Sequence, residues 1–278
     1  MTGGHQAGRD RGWHSGAVEL TFLGTGTSNG VPIIGCRCPV CASDDPRDRR
    51  SRTSAMVRFG GHTVLIDTAT ELRLQAIAVG LERLDAVLFT HAHADHVGGL
   101  DDLRRFNEIE QAELPVYADP LTAGALRERY GYAFARQFPF FGGKPDLTLH
   151  EFDGPFRLFD EEIAPIPVRH GRWIVQGFRL GPLVYVTDAK EIPAPSLDLM
   201  RGADVLVLNA LRDRPHPTHL SIGEAVEVIA ELRPREAYLV HMTHEVSHAV
   251  ASAALPSHVH LAFDGLTVRA NGARSSRS

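Results

Sequence analysis

The feature that most constrains this chain is a cluster of metal-binding side chains directly after a predicted strand. Residues 86–90 are apolar or β-branched and have the length of a buried strand. The next six residues contain three imidazoles and a carboxylate, those of His91, His93, Asp95 and His96. Imidazole nitrogens and carboxylate oxygens are typical ligands of zinc, iron and manganese, and a short loop can supply them to two adjacent ions. We therefore predict a metal centre at the end of this strand rather than a polar surface loop.

Three more ionisable residues stand at or just after apolar segments, where rigid secondary structure would hold them. Asp188 follows the predicted strand 183–187, His241 follows the predicted strand 237–240, and His170 ends another apolar stretch. Each of them alone is compatible with an ordinary structural role. Together with the His-rich loop they provide enough donors for two metal sites.

The rest of the chain alternates between predicted strands and helices. Two β-branched runs on either side of Gly60-Gly61 predict a β-hairpin, and Ser221 with Glu224 predicts a capping box at the start of a helix. This mixture, with polar residues gathered where strands end, predicts an α/β fold with layered sheets. The predicted strands are residues 18–23, 53–59, 63–67, 86–90, 183–187, 205–208 and 237–240, and the predicted helices are residues 71–79, a helix that begins at Asp119-Pro120, and residues 222–232.

Composition limits the domain organisation and the compartment. Segments 1–16 and 269–278 are rich in Gly, Ser and Arg, and we expect a disordered leader and a flexible tail around one domain, residues 17–268. The sequence contains no run of about 18 apolar residues, the length that would predict a membrane span. The leader also lacks the apolar region of a signal peptide. We therefore expect a cytoplasmic protein with no membrane partner.

The three cysteines, Cys36, Cys38 and Cys41, all lie within six residues. An odd number of cysteines in one short loop is a poor basis for disulfides but a good one for a metal site. Structural zinc normally has four ligands, so a fourth donor is needed. His244 is the best candidate because it follows the predicted ligand His241 by three residues.

The order of the predicted ligands resembles that of the metallo-β-lactamase superfamily: a His-x-His-x-Asp-His motif at residues 91–96, then a distant His, an Asp and a last His. The resemblance implies an αββα sandwich, in which two mixed β-sheets are flanked by helices and the metals lie at one edge. It also implies that Asp67, which ends a predicted strand, steadies the metal loop. The ligands that it implies are His91, His93 and His170 for one ion, Asp95, His96 and His241 for the other, and Asp188 as a bridge between them.

A second resemblance is narrower. Residues 23–32 (LGTGTSNGVP) and 35–41 (GCRCPVC) resemble the phosphoribosyl 1,2-cyclic phosphate phosphodiesterase family. That resemblance implies a structural zinc bound by the three cysteines and His244, and an active-site histidine, His219, that meets the phosphate or the leaving group. It implies hydrolysis of a small phosphorylated substrate, 5-phosphoribosyl 1,2-cyclic phosphate, to ribose 1,5-bisphosphate, and it is compatible with a homodimer.

The expected chemistry is hydrolysis with two divalent ions, zinc or manganese, while a third ion, zinc, has a structural role only. Two ions about 3.5–4 Å apart lower the pKa of a bound water and stabilise charge on phosphoryl oxygens. The predicted catalytic residues are Asp95, Asp188 and His219. A protonated His219 would donate a proton to the departing oxygen, a contribution typically worth about 10²–10⁴-fold in rate.

Two other functions are open at this point. One is a different hydrolase of the same fold, such as a tRNase Z-like nuclease, although the net charge of −5 and the lack of an obvious basic arm do not favour a nucleic-acid partner. The other is a metal-binding accessory protein of cofactor biosynthesis, which the complete set of seven ligands disfavours. The aromatic segment 138–143 is compatible with a lid over the site or with a flap packed on the core or on a partner.

Overall fold

The computed structural model describes residues 16–136 and 143–272. Within these residues the chain forms two seven-stranded β-sheets with helices on their outer faces. The strands are β1 (Val18–Gly24), β2 (Ser54–Phe59), β3 (His62–Ile66), β4 (Ala86–Leu88), β5 (Leu114–Ala118), β6 (Leu147–Glu151), β7 (Phe156–Leu158), β8 (Glu161–His170), β9 (Trp173–Leu180), β10 (Leu183–Val186), β11 (Val205–Asn209), β12 (Glu236–Val240), β13 (Val259–Leu261) and β14 (Thr267–Ala270). The α-helices are α1 (Leu72–Ala78), α2 (Ala94–Val97), α3 (Arg104–Glu110), α4 (Pro120–Phe134), α5 (Ala194–Met200), α6 (Ile222–Leu232) and α7 (His248–Ala254), and two 3₁₀ turns lie at Pro46–Asp48 and Leu100–Leu103.

The two sheets share one arrangement of strands. The order is β14-β1-β2-β3-β4-β5-β6 in the first sheet and β13-β12-β11-β10-β9-β8-β7 in the second. Each sheet has three antiparallel pairs followed by three parallel pairs, the latter running from β3 to β6 and from β10 to β13. Parallel strands bring their carboxyl ends to one edge of a sheet, where open α/β folds place ligands. The predicted αββα sandwich of two mixed sheets is confirmed.

Three apolar layers hold the sandwich together. The central layer lies between the sheets and includes Phe22, and the two outer layers lie between each sheet and its helices. Strand β10 contributes to two layers, because Tyr185 faces the central layer whereas its neighbours Val184 and Val186 face the helices. A strand that is buried on both faces is a continuous apolar run in the sequence, which is why such strands were predictable here.

The predicted hairpin and helix starts are confirmed. β2 and β3 pair on either side of Gly60-Gly61. Asp119 accepts a hydrogen bond from Thr122 N at 2.9 Å and caps α4. Ser221 and Glu224 form both hydrogen bonds of the capping box before α6.

One boundary differs from the prediction. Strand β14 ends at Ala270, so the ordered domain reaches two residues into the segment predicted to be a flexible tail. Pairing of β14 with β1 explains the difference, because Ala270 and Arg269 lie opposite Val18 and Glu19. The leader up to residue 15, residues 137–142, which include most of the aromatic segment 138–143, and residues 273–278 lie outside the described residues. Among the helices of the described residues, none has the length and apolar character needed to cross a membrane.

The β8–β9 hairpin was not predicted from the sequence. Pro165 and Pro167 lie within β8, and proline is rare inside sheets because it lacks an N–H. Both prolines pair in register with β9, opposite Phe178 and Gln176. β7 pairs only with the first three residues of β8, so the prolines lie where the other side of β8 has no strand partner and needs no donor. The hairpin carries His170 to the edge of the sandwich.

Gly98 and Gly99, which follow the His-rich loop, have ordinary backbone angles, but neither position has room for a side chain. Their φ angles are −64° and −93°, which any residue adopts. A Cβ atom on Gly98 would lie 2.6 Å from Ala94 O, and one on Gly99 would lie 2.1 Å from Ala69 O. The two glycines therefore let the loop pack directly against the segment that follows β3.

Gly99→Ala is expected to destabilise the fold by about 1–3 kcal/mol or more, because the added methyl group would overlap a backbone oxygen in a packed region. Gly223→Ala is the matched control. Gly223 lies in α6 with no atom within 4 Å of its Cβ position, and replacing a helical glycine with alanine stabilises by about 0.5–1 kcal/mol. Urea unfolding of both variants measures the two free energies. A Gly99→Ala variant as stable as the parent would contradict the close approach.

Candidate active site and zinc site

The His-rich loop begins where β4 ends, at one edge of the sandwich. His91 and His96 are buried, whereas His93 is exposed and is the N-cap residue of α2. His91 Nε2 and His93 Nδ1 lie 3.0 Å apart. Two nitrogen ligands of a tetrahedral zinc, each about 2.0–2.1 Å from the ion, are about 3.3 Å apart. The two imidazoles therefore present nitrogens at nearly the spacing of ligands to one ion.

Side chains from the second sheet converge on this loop. His170 is the last residue of β8, and Asp188 and His241 lie just after β10 and β12. The ligand atoms lie within 4.8 Å of one another in each of four groups, which are His91, His93 and His170; His91, His96 and Asp188; Asp95, His96 and His241; and His170, Asp188 and His219. The first and third groups have the same members as the two predicted ligand sets. Asp188 belongs to the second group, which shares one imidazole with each of those sets, and to the fourth group, which shares an imidazole with the first set.

Asp188 lies in the middle of the cluster. Its Oδ1 is 3.3 Å from His241 Nε2, and its Oδ2 is 3.2 Å from His96 Nε2. Burial raises the pKa of Asp188, but the imidazoles of His241 and His96 outweigh burial and hold that pKa well below its usual range. The side chain is therefore an ionised carboxylate with one oxygen toward each imidazole.

Unpartnered nitrogens show that the cluster fits cations. Within the described residues, His96 Nε2 and His241 Nε2 are buried and make no well-aligned hydrogen bond. A buried polar group without a partner costs about 1–3 kcal/mol, and such groups in native structures call for an explanation such as a bound ion. Imidazole and carboxylate donors together suit divalent ions such as zinc or manganese.

Three residues of the site have a left-handed backbone within two residues of the end of a strand. The φ angle is 64° at Asp67, 57° at Asp188 and 62° at His241. Non-glycine residues rarely adopt this conformation, which costs on the order of 1–3 kcal/mol and is concentrated at functional sites. The turn ends each strand abruptly, and all three side chains join the same network of imidazoles and carboxylates.

Asp67 holds the His-rich loop through three hydrogen bonds. Its Oδ1 accepts from Thr90 N at 2.8 Å, and its Oδ2 accepts from Thr90 Oγ1 and from His96 Nδ1, each at 2.7 Å. Because His96 Nδ1 donates to the carboxylate, its Nε2 is the nitrogen left for the cluster. Thr90 Oγ1 also lies 2.9 Å from His91 Nδ1, so it orients a second imidazole. Asp67 was expected in this position; Thr90 was not singled out from the sequence.

His219 reaches the cluster from the loop before α6. Its Nε2 is 3.0 Å from Asp188 Oδ1, and its Nδ1 is 2.9 Å from Thr218 Oγ1. Burial lowers the pKa of His219 to about 4, so the imidazole is neutral near pH 7 and its N–H donates to Asp188. The lowered pKa favours the neutral form of His219 over the protonated form expected in the sequence analysis. The neutral form can still donate a hydrogen bond.

The loop that carries His219 also orients a predicted metal ligand. Thr218 O accepts a hydrogen bond from His170 Nδ1 at 2.8 Å, which leaves His170 Nε2 for the cluster. His216, to which the sequence analysis assigned no role, lies with its Nδ1 3.2 Å from His219 Nδ1. The contact with His170 does not follow from spacing along the chain, because it depends on where the loop lies relative to the end of β8.

The three cysteines surround His244. His244 Nδ1 is 3.2 Å from Cys36 Sγ and 3.5 Å from both Cys38 Sγ and Cys41 Sγ. Nitrogen and sulfur ligands of a tetrahedral zinc, at about 2.0–2.1 and 2.3 Å from the ion, are about 3.6 Å apart. The Cys41 N–H donates to Cys38 Sγ and lowers the pKa of Cys38 to about 7, whereas burial raises the pKa of Cys41 to about 11. The four donors thus fit a closed zinc site.

Backbone pairing brings the cysteine loop to His244. Met242 N donates to Thr25 O at 3.0 Å, and Thr27 N donates to Met242 O at 3.1 Å. The buried side chain of Arg50 donates to Thr243 O at 3.3 Å. These contacts hold both ends of the cysteine loop against the short segment that carries the last histidines of the two predicted sites.

Asp67→Asn is expected to weaken metal binding by about 10–100-fold, the usual effect of losing a residue that orients a ligand. Both carboxylate oxygens of Asp67 accept hydrogen bonds. An asparagine side chain has only one oxygen, so in either orientation its NH₂ group would face a hydrogen-bond donor. Titration of the metal-free protein with zinc or manganese measures the affinity. Asp204→Asn is the matched control, since Asp204 pairs with Arg235 at 2.8 Å outside the cluster. Unchanged affinity in Asp67→Asn would contradict this role of Asp67.

Comparison with known proteins gives the family. Residues 62–242 match the model of the beta-lactamase superfamily domain. A crystal structure described as a new diphosphatase from the PhnP family is 40% identical to the chain with a TM-score of 0.85, and the match covers 91% of this chain and 97% of that one. A ribonuclease Z of Mycobacterium avium is 31% identical over 219 residues, which are 70% of this chain and 71% of the relative.

Another relative is longer than this chain. An octanoyltransferase of Porphyromonas gingivalis is 40% identical over 254 residues, which are 90% of this chain and 51% of the relative. This chain therefore spans about half the length of that protein. The fold, the family model and the relatives agree: the chain belongs to the metallo-β-lactamase superfamily, and its similarity to a PhnP-family protein extends over nearly the whole of both chains.

Proposed function

We propose that this protein hydrolyses a phosphorus–oxygen bond in a small phosphorylated molecule, and that this substrate is 5-phosphoribosyl 1,2-cyclic phosphate, opened to ribose 1,5-bisphosphate. A metal-dependent hydrolase is the activity that the superfamily fold and the PhnP-family and ribonuclease Z relatives support. The observation that carries the proposal is the position of Asp188, because its two carboxylate oxygens face imidazoles on two sides of one donor cluster.

Divalent zinc or manganese ions in this cluster would lower the pKa of a water molecule and stabilise charge on phosphoryl oxygens. The residues proposed to hold them are His91, His93 and His170 for one ion, Asp95, His96 and His241 for the other, and Asp188 for both. The cysteine site is proposed to hold zinc with a structural role only. Its four donors complete a tetrahedral site and leave no open position for a substrate.

His219 is proposed to contact the substrate. Its Nε2 lies 3.0 Å from Asp188 Oδ1, so a phosphoryl oxygen beside Asp188 would be close enough to accept, in place of that carboxylate, the hydrogen bond of the single N–H of the neutral imidazole. A neutral imidazole donates a hydrogen bond to an oxygen that gains charge in the reaction, and a preorganised donor of this kind typically contributes about 10²–10³-fold in rate. Thr218 Oγ1, 2.9 Å from His219 Nδ1, holds the ring in this orientation.

A diphosphate is the second candidate substrate. The observation that favours it is the PhnP-family relative, which is 40% identical and described as a diphosphatase. Cleavage of a diphosphate and of a phosphodiester both depend on positioning at phosphorus and on stabilising charge on its oxygens, so one arrangement of side chains serves either.

Two activities of relatives are less well supported for this chain. Cleavage of RNA by a ribonuclease Z-like reaction would normally require a basic surface, whereas the net charge here is −5. The acyl transfer named for the Porphyromonas gingivalis protein is not carried over, because about half of that protein lies outside the match.

Asp188→Asn is expected to lower kcat/KM by at least about 100-fold, the upper end of the effect of losing a residue that only orients a ligand, because Asp188 would contact both ions. Asp198→Asn is the matched control, since Asp198 is exposed on α5 and pairs only with Arg201, at 3.2 Å, among the described side chains. The measurement uses protein loaded with zinc or manganese, with its metal content counted. Full activity of Asp188→Asn would contradict the bridging role.

The same assay decides between the candidate substrates. It compares phosphoribosyl 1,2-cyclic phosphate, a diphosphate ester, methyl p-nitrophenyl phosphate and a tRNA precursor. We expect the cyclic phosphate to react fastest, with about three metals per chain as a two-ion centre and one closed zinc site require. Hydrolysis of the diphosphate alone would select the second candidate, and no hydrolysis at full metal content would contradict both.

A further inference from the structure

A cavity of about 500 Å³ opens directly beside the predicted metal ligands. His91 and His93 form one side of it, and the start of α4 and the start of β9 form the other walls. The lining of these walls is mostly apolar and includes Leu121, Trp173 and Ile174. A concave, mostly apolar pocket with a few polar groups is the usual form of a small-molecule site.

Three large apolar side chains in this cavity are exposed to solvent. The exposed fraction is 56% for Leu121, 43% for Trp173 and 39% for Ile174. One exposed apolar side chain needs no explanation, but several that share one concave surface mark a binding site. Because the cavity includes His93, whatever binds to these side chains is close enough to belong to the same molecule as a phosphoryl group at the metal ligands.

The β8–β9 hairpin fixes Trp173 relative to the predicted ligands. Trp173 pairs in register with His170, so strand pairing places the indole and a ligand imidazole on one rigid unit. Further along β9, Gln176 N donates to Thr90 O at 2.9 Å and ties this strand to the start of the His-rich loop. A group bound against Trp173 would therefore stand at a fixed distance from the metal ligands.

We propose that this cavity binds the aromatic ring, such as a nucleobase, of a second class of substrates, phosphate esters that carry such a ring, while their phosphoryl group lies at the metal ligands. This inference rests on the proposed phosphoryl chemistry and goes beyond the proposed substrate, because 5-phosphoribosyl 1,2-cyclic phosphate carries no aromatic ring and would not fill the cavity. The indole of Trp173 offers a flat surface for stacking, and the guanidinium of Arg172 lies 5.4 Å from its centroid. The side chains of Glu128 and Arg129 also line the cavity and can hydrogen-bond to the polar edge of a base.

An alkyl chain is the competing occupant of the cavity. Burial of an alkyl chain against the apolar walls would be favourable, but the chain could not stack on the flat indole. It would also desolvate the charged groups of Glu128 and Arg129 without replacing their hydrogen bonds to water. A nucleobase uses both kinds of surface. The additional substrate class that fits the cavity is therefore a nucleotide or another phosphate ester with an aromatic group, rather than a lipid phosphate.

The test is calorimetric binding of three phosphate monoesters to zinc-loaded protein: methyl phosphate, octyl phosphate and adenosine 5′-phosphate. Base–aromatic stacking predicts that adenosine 5′-phosphate binds at least about ten-fold more tightly than methyl phosphate. Trp173→Ala should remove this advantage and leave methyl phosphate binding unchanged, whereas Trp173→Phe should keep most of it. Val250→Ala is the control, since it shortens another exposed apolar side chain, 73% exposed on α7.

Equal binding of methyl phosphate and adenosine 5′-phosphate would overturn the inference, as would tightest binding of octyl phosphate. An unchanged advantage in Trp173→Ala would also overturn it. The result is separable from the proposed function, because binding is measured without turnover. Trp173-dependent binding in a protein that hydrolyses no phosphate ester would retain the aromatic subsite and reject the hydrolase. Hydrolysis of the cyclic sugar phosphate, with adenosine 5′-phosphate bound no more tightly than methyl phosphate, would retain the hydrolase and reject the aromatic subsite.

Discussion

Burial of ionisable side chains at the edge of the two sheets is the constraint on which the rest of the structure depends. Asp67, His96, Asp188 and His241 are almost completely buried, and a buried charge costs several kcal/mol unless it is paired. Pairing of the carboxylates with imidazoles offsets this free-energy cost, and the paired groups lie where strands end. The apolar layers on both faces of the sheets make those strand ends rigid. Cations that bind the remaining free nitrogens would stabilise the folded state by mass action.

The two predicted metal sites share one short segment of chain. His241 faces the active-site cluster, and three residues later His244 faces the cysteines. A buried ion pair contacts this segment. Arg50, which donates to Thr243 O, lies 3.1 Å from Asp48, and Asp48 also accepts a hydrogen bond from His248 N at 2.7 Å. A zinc ion bound by the cysteines and His244 would therefore hold in place the segment that carries His241, without contributing a donor to the active-site cluster.

The superfamily fold hosts many activities, so selectivity has to come from the loops and hairpins at its ligand-binding edge. In this chain the β8–β9 hairpin carries both a predicted metal ligand and a residue of the proposed recognition cavity. His170 at its tip belongs to the donor cluster, and Trp173, paired with it, lines the adjacent cavity. A change in the backbone of this hairpin would therefore alter recognition and metal binding together, whereas a change confined to the side chain of Trp173, or of Leu121 on α4, would alter recognition alone.

Local patterns in the sequence were enough for the His-rich loop, the cysteine loop and the strands that are buried on both faces, because each of these is a short run of residues with a direct chemical or packing meaning. The β8–β9 hairpin was missed, since prolines are rare inside strands and only the packed sheet shows that β7 does not extend along β8 as far as the two prolines. The sequence by itself determined which donors exist and in what order they occur. Only the tertiary structure decided that Asp188 lies between two groups of ligands and that Trp173 stands beside His170, because contacts between residues far apart in the chain depend on how the two sheets pack.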